Sequence, residues 1–385
     1  MIPSLQGVRS AALQSLSLAR FLAARAAGRK HPFMVTMSLT DRCNFRCEYC
    51  KLPVMDRPEM TTAEWFRAVD ELADAGMGRA SLMGGEPLVR KDVGKILRRL
   101  KSRGVNVAMN TNGWLVPQRL DELAGLDLAC VTLDGPPSVH DAQRHPGSYE
   151  RAIKAIEALH GRGVNVVTMT VLTPRGVQTV DHVLAVAKAT GTLAYFQLVH
   201  DAWGDPDKEI GAGIADEGIV EVARHLLRRK DEGAPVGPSR TYLRALIGDG
   251  ERGARRLDAC EDCYASRYFV SITPTGHVIP CPLTFRGDPL DGKAMGFAKA
   301  FEALVQPTAS GCSCYPTQEM NNVLRLQPEV IFNALSGVIL GRPEAHGELP
   351  TVADDLRPPP RRRLPLAQAE ALAEAHAQAS AHEPR

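Results

Sequence analysis

From Phe33 to about Leu198 the chain alternates short apolar, β-prone runs with stretches of helical period, a rhythm that few folds accommodate. The runs are Phe33–Leu39, Ala80–Met83, Val105–Asn110, Leu128–Leu133, Val164–Val171 and Leu193–Val199. Helical stretches lie between them near Thr62–Ala75, Val93–Arg103, Pro117–Leu123, Tyr149–His160 and Val180–Thr190. Six strands joined by helical crossovers predict a parallel sheet, because parallel neighbours need a long return connection. Right-handed crossovers curl such a sheet into an α/β, TIM-like partial (β/α)6 barrel. Chemistry in that architecture sits in the loops after the carboxyl ends of the strands, so those loops come first in any search for reactive residues.

The other segments flank this barrel, assigned to residues 33–200. Residues 1–32 read as a basic amphipathic helix with Leu5, Val8, Ala12, Leu16, Ala19 and Ala23 on one face. Residues 201–255 read as a helical linker. Residues 256–340 form a cysteine-rich α+β extension around a hairpin, Arg267–Thr273 and His277–Pro280. The Pro/Arg- and Ala-rich tail, 341–385, is expected to be extended or mobile. The first 40 residues contain no acid before Asp41. Three readings fit that composition: a helix packed on the main domain, a peripheral contact with an anionic membrane through residues 1–30, or an organellar transit segment. The net charge of +2 supplies no global positive field for nucleic acid. No apolar run approaches the roughly 18–20 residues of a membrane span. The nine cysteines are odd in number and cluster in two places, which favours metal binding in a reducing, cytoplasmic setting over a disulfide framework.

The first group follows the first strand immediately: Cys43, Cys47 and Cys50 in TDRCNFRCEYC, residues 40–50. Three thiolates in one short loop can wrap a single metal centre. A structural zinc wants four protein ligands. With three cysteines and no nearby histidine, a [4Fe–4S] cluster with one open iron fits better.

The C-x3-C-x2-C spacing, with Tyr49 before the last cysteine, resembles the radical S-adenosylmethionine superfamily. In that family the open iron is chelated by S-adenosylmethionine, whose reductive cleavage gives a 5′-deoxyadenosyl radical that abstracts a substrate hydrogen. Other strand-end segments fit the resemblance. Gly84-Gly85-Glu86-Pro87 looks like the family's GGEP motif, which implies contact with the methionyl amino group. Glycines let backbone approach a ligand, and Glu86 can accept from an ammonium. Asn112, Thr132, Asp134 and Arg144 follow the next strands. The resemblance implies cofactor contacts for them, with Arg144 placed to meet the cofactor's carboxylate; turn-capping or salt-bridging is the alternative. Around the triplet the text also resembles GTP 3′,8-cyclases of molybdenum cofactor synthesis, although the C-terminal Gly-Gly expected there is absent.

The second group is Cys260, Cys263, Cys281, Cys312 and Cys314. The pattern C-x12-G-x4-C from Cys263 to Cys281 resembles the start of the SPASM motif and its shortened twitch relative. That resemblance implies an auxiliary [4Fe–4S] cluster held by Cys263, Cys281, Cys312 and Cys314, with Cys260 as alternate. Cys260-x2-Cys263 beside a β-turn is also zinc-ribbon-like. Cys130, inside a strand, reads as core. The resemblance implies a radical oxidoreductase or maturase that oxidises or crosslinks a peptide or small molecule, fed by a reduced flavodoxin or ferredoxin-type donor. Only 32 residues precede the first strand, too few for a winged-helix peptide-recognition domain, and this counts against a peptide; a lipid-linked substrate is the other reading. Tyr195, Gln197, His200 and Asp201 lie at or beyond the sixth strand and, with Asp134, are the acid–base candidates. None is assigned as the base.

Overall fold

The computed structural model describes residues 5–47, 49–50, 52–55, 57–173, 179–198, 216–251, 263–281, 289–306, 314–325, 327 and 349–350. Strands β1 (Met34–Ser38), β2 (Arg79–Met83), β3 (Asn106–Thr111), β4 (Leu128–Thr132), β5 (Asn165–Leu172) and β6 (Leu193–Leu198) pair in parallel, each with the next in sequence. The crossovers are α2 (Thr62–Ala75), α3 (Val93–Ser102), α4 (Val116–Arg119), α5 (Pro137–Gln143), α6 (Ser148–Gly161) and α7 (Val180–Thr190). This is the (β/α)6 partial barrel that the alternation predicts.

Local chemistry sets the boundaries. A capping box opens α2: the Thr61 hydroxyl accepts from the Glu64 amide while the Glu64 carboxylate accepts from the Thr61 amide. Gly76 closes the helix in the left-handed region at φ 116. The stretch expected to be helical near Pro117–Leu123 is a single α-turn, Val116–Arg119, followed by a 3-10 turn over Leu120–Leu123. The main core lies between the sheet and the outer helices, where Trp65, Leu72, Leu97, Leu100 and Ile156 are fully buried.

Two features differ from the sequence expectation. The hairpin, strands β7 (Phe269–Ile272) and β8 (His277–Ile279), continues the barrel sheet, a pairing the sequence does not indicate. β7 pairs in parallel with β1, Met34 opposite Phe269, so the sheet runs β6-β5-β4-β3-β2-β1-β7-β8-β9, where β9 is Leu290–Asp291. The second difference is the docking face of α1 (Leu5–Ala26). The side chains turned inward are Leu13, Ser17, Phe21 and Ala24, whereas Leu16 is 48 % exposed. Phe21 stacks on Phe33 at 4.5 Å and meets Tyr268 edge-on at 5.4 Å. Gly78 and Gly104 let the helix come close, since a Cβ there would lie 2.3 Å from the Ser17 hydroxyl and 2.5 Å from the Leu13 Cβ. One buried aromatic outweighs a periodic row of alanines, because buried area sets the gain. α1 is therefore a packed helix, the first of the three readings its composition allows. No helix among the described residues is long and apolar enough to cross a membrane.

After the barrel come α8 (Asp216–Asp231) and α9 (Arg240–Glu251), where the sequence expects a helical linker. α10 (Gly292–Met295) and α11 (Phe297–Ala303) follow β9, and α12 (Tyr315–Leu324) follows them. The tail from 351 onward lies outside the described residues.

Candidate active site

The loop after β1 carries the three cysteines and is held from below by charge. Asp41, 2 % exposed, takes a two-pronged bond from Arg57, 2.7 Å on each arm. Buried Arg90 donates to the Leu39 and Met60 carbonyls, at 3.1 Å each, and pairs with Glu59 and Asp92. Glu59 in turn holds Arg42 at 3.0 Å and accepts from the Thr40 hydroxyl. Phe45, 3 % exposed, pins the loop's upper side, stacked on His145 at 5.4 Å and edge-on to Trp114 at 5.6 Å. Arg57, Glu59, Arg90, Trp114 and His145 were not singled out in the sequence. Only their nearness to the motifs could have flagged them, since their partners are fixed by folding.

The Gly84-Gly85 loop lies directly against the cysteine loop. A Cβ on Gly84 would fall 2.2 Å from the Thr40 carbonyl oxygen, and one on Gly85 would fall 2.2 Å from that of Arg42. Gly84 also sits at φ +142, where a side chain is strained. The Gly85 amide donates to the Thr40 carbonyl at 2.7 Å, and the Glu86 amide to that of Arg42 at 2.9 Å. The glycines thus let two backbone segments meet, and both also face the cavity described below.

Glu86 is held by three donors of the protein. It is 1 % exposed, and its carboxylate accepts from the Asn112 amide at 2.7 Å, the Thr111 hydroxyl at 3.0 Å and the Leu88 amide at 3.1 Å. It braces the ends of β2 and β3 behind the cavity wall. Burial, only partly offset by those donors, pushes its pKa up to about 7. Pro87 starts the short turn that Glu86 caps.

Asp134 is likewise a brace. It is wholly buried; one oxygen accepts from Arg144 Nε and the other from the Val171 amide at 2.9 Å. Its own amide donates to His140 Nδ1 at 3.0 Å. Arg144 continues to the Tyr49 hydroxyl and comes within 3.9 Å of Cys47 Sγ. Burial alone would lower the pKa of Arg144, but Asp134 beside it holds it raised. Asn112 Nδ2 donates to Asn44 at 2.9 Å and reaches Cys43 Sγ at 3.8 Å. Thr132 Oγ1 lies 3.4 Å from the Thr111 carbonyl.

Cys43, Cys47, Cys50, Tyr49, Gly84, Gly85, Asn112, Thr132 and Arg144 all face one cavity of about 290 Å³ at the carboxyl ends of the strands. By donor type three thiols suit an iron–sulfur cluster, although no group of three His, Cys, Asp or Glu side chains among the described residues stands close enough together to hold one metal ion as the side chains are placed. Burial pushes the Cys43 thiol up to about 12 and raises Cys47 as well.

The second cysteine group is gathered beside the same cavity. Cys263, Cys281 and Cys314 are each 3–4 % exposed and share a hydrophobic cluster with Phe21 and Tyr268. The Thr317 hydroxyl lies 3.4 Å from Cys281 Sγ and 3.3 Å from Cys314 Sγ. Asn321 Nδ2 reaches Cys263 Sγ at 3.6 Å. Cys314, the residue before α12, also lines the cavity. Cys260 and Cys312 lie outside the described residues, as do His200 and Asp201. Cys130 is buried in β4, and burial raises its thiol to about 12. Tyr195 is packed under Gly237 and 5.4 Å from the ring of Tyr315, away from the cavity wall. Gln197 does face the cavity; its Oε1 accepts from the Tyr315 amide at 3.0 Å.

Three thiols from one loop open into a cavity at the mouth of a parallel α/β partial barrel. Comparison with known proteins points to one superfamily: residues 37–187 match the model of the radical SAM superfamily. It is 33 % identical over 189 residues to an AdoMet-dependent heme synthase of Methanosarcina barkeri, covering 46 % of this chain and 54 % of that protein. It is 29 % identical to the mycofactocin maturase MftC of Mycobacterium tuberculosis, covering 74 % of this chain and 75 % of that one. The fold is shared with Streptococcus suis SuiB bound to S-adenosylmethionine (TM-score 0.58, 14 % identity, 73 % and 68 % of the chains). It is shared also with SuiB bound to its precursor peptide SuiA (TM-score 0.56, 13 % identity, 80 % and 76 % of the chains).

Proposed function

We propose that the chain is a radical S-adenosylmethionine enzyme that oxidises or crosslinks a peptide. The carrying observation is the convergence of Cys43, Cys47 and Cys50 on one cavity at the strand ends, against the Gly84-Gly85 loop. These cysteines hold a [4Fe–4S] cluster. Loaded with that cluster and S-adenosylmethionine, the site would supply reductive cleavage of the sulfonium to methionine and a hydrogen-abstracting 5′-deoxyadenosyl radical, the one electron coming from an external reductant of the flavodoxin or ferredoxin type. The residues' own work is placement. Gly84 and Gly85 keep the wall thin beside the triplet, Asn112 and Thr132 present neutral polar groups, and Arg144 presents a fixed cation beside Cys47 and Tyr49 for a ligand carboxylate. Asp134 acts on Arg144 and is a positioning residue.

Cys263, Cys281 and Cys314 hold a second cluster, with Cys312 or Cys260 as the fourth ligand; their gathering by Thr317 and Asn321 supports this. The peptide substrate is supported by the similarity to a maturase and by a shared fold with a protein solved with its precursor peptide. Anaerobic protein reduced with dithionite in the presence of S-adenosylmethionine is expected to release 5′-deoxyadenosine. Replacement of the triplet by Ala should abolish release; unchanged release would remove the assignment.

A further inference from the structure

Away from the cysteine loop the cavity is lined by residues of β1, β5, β6, β7 and α12. This inner wall carries Met34, Met169, Val171, Phe269, Pro316 and Met320, with Thr36, Ser81, Asn110, Gln197 and Thr317 as uncharged polar members beside them. With Met83 included, four methionines line the cavity. Thioethers are polarizable and flexible, and they fill irregular apolar space well. Among the described lining residues Arg144 is the one charged side chain, and it stands at the cysteine-loop end beside Cys47 and Tyr49. A site built for a phosphate, carboxylate or ammonium carries a counter-charge, because burying an unpaired charge is costly. Here the described inner wall offers none.

The wall is also preformed. α12 carries Pro316 and Met320 and is tied at both ends: the Tyr315 amide donates to Gln197 of β6 at 3.0 Å, and Asn321 accepts from the Tyr264 amide, five residues ahead of β7, at 3.0 Å. The Glu319 carboxylate accepts from the Ser239 amide, just before α9, at 2.8 Å. α12 therefore bridges from β6 to the chain entering β7.

We propose that this inner half receives an uncharged, apolar group of the substrate, an aliphatic or aromatic side chain, with Met169 of β5 and Met320 of α12 as specificity-determining walls. This rests on the reading of the cavity as a radical site and names the class of group that site takes.

The test uses cluster-loaded protein with S-adenosylmethionine and saturation-transfer NMR of N-acetyl-leucinamide, N-acetyl-phenylalaninamide, N-acetyl-lysinamide, N-acetyl-glutamate amide and GTP. The two apolar amides should bind at least about tenfold more tightly than the charged probes. Met169→Gln and Met320→Gln, close in volume but polar, should each weaken the apolar amides about three- to tenfold at unchanged iron content. Charged amides or GTP binding as well as the apolar ones overturns the inference. So does wild-type protein that binds neither apolar amide, or an affinity untouched by both substitutions. Release of 5′-deoxyadenosine from the same samples keeps the two readings apart: release without apolar selectivity sinks this inference alone, whereas no release sinks the radical reading.

Discussion

Replacing Arg144 by methionine is expected to destabilise the protein by about 3–5 kcal/mol, because it strands a wholly buried carboxylate. Asp134 has no water to turn to. One oxygen keeps the Val171 amide at 2.9 Å, while the other loses its guanidinium. The comparison that isolates the cause is the double variant Asp134→Asn with Arg144→Met. Removing both charges should recover most of the loss, since an amide without its cation costs far less than a carboxylate. Urea midpoints at matched iron content measure both. If the single variant unfolds within about 1 kcal/mol of wild type, the buried pair is not the brace described.

The second large effect concerns the other cysteine group. Asn321 is fully buried; its Oδ1 accepts from the Tyr264 amide and its Nδ2 reaches Cys263 Sγ. Asn321→Ala leaves a buried donor unpaired, at about 1–3 kcal/mol, and frees the Cys263 segment from α12. Iron content after anaerobic reconstitution is expected to fall by about half, with the remaining iron in the first cluster. Full iron content in that variant would show that Cys263 needs no such anchor, and the role given to α12 would be lost.

What could be read from the sequence follows from the range of the interactions. The strands and helices of the barrel carry their own periods and caps, so α2 and α7 fall on Thr62–Ala75 and Val180–Thr190 as the pattern predicts. The cysteine triplet and the Gly-Gly pair are local words, legible by spacing. Pairings distant in sequence were not legible. Nothing near Met34 says that Phe269 will lie beside it. The helix α1 has apolar residues on more than one side, so its period alone cannot choose the face that Phe21 decides. Glu86 and Asp134 were read as groups facing a ligand because acids at strand ends often do so. Their bonds to Asn112, Thr111 and Arg144 join residues distant in sequence, and only the fold shows them.

The central claim is that Cys43, Cys47 and Cys50 leave one iron of their cluster open to S-adenosylmethionine. Electron–nuclear double resonance on the reduced protein with S-adenosylmethionine labelled by nitrogen-15 at its amino group tests this directly. A coupling between that nitrogen and the reduced cluster, lost in Cys47→Ala, is the result this account predicts. No coupling in the wild type, or a coupling that survives removal of the triplet, would contradict it.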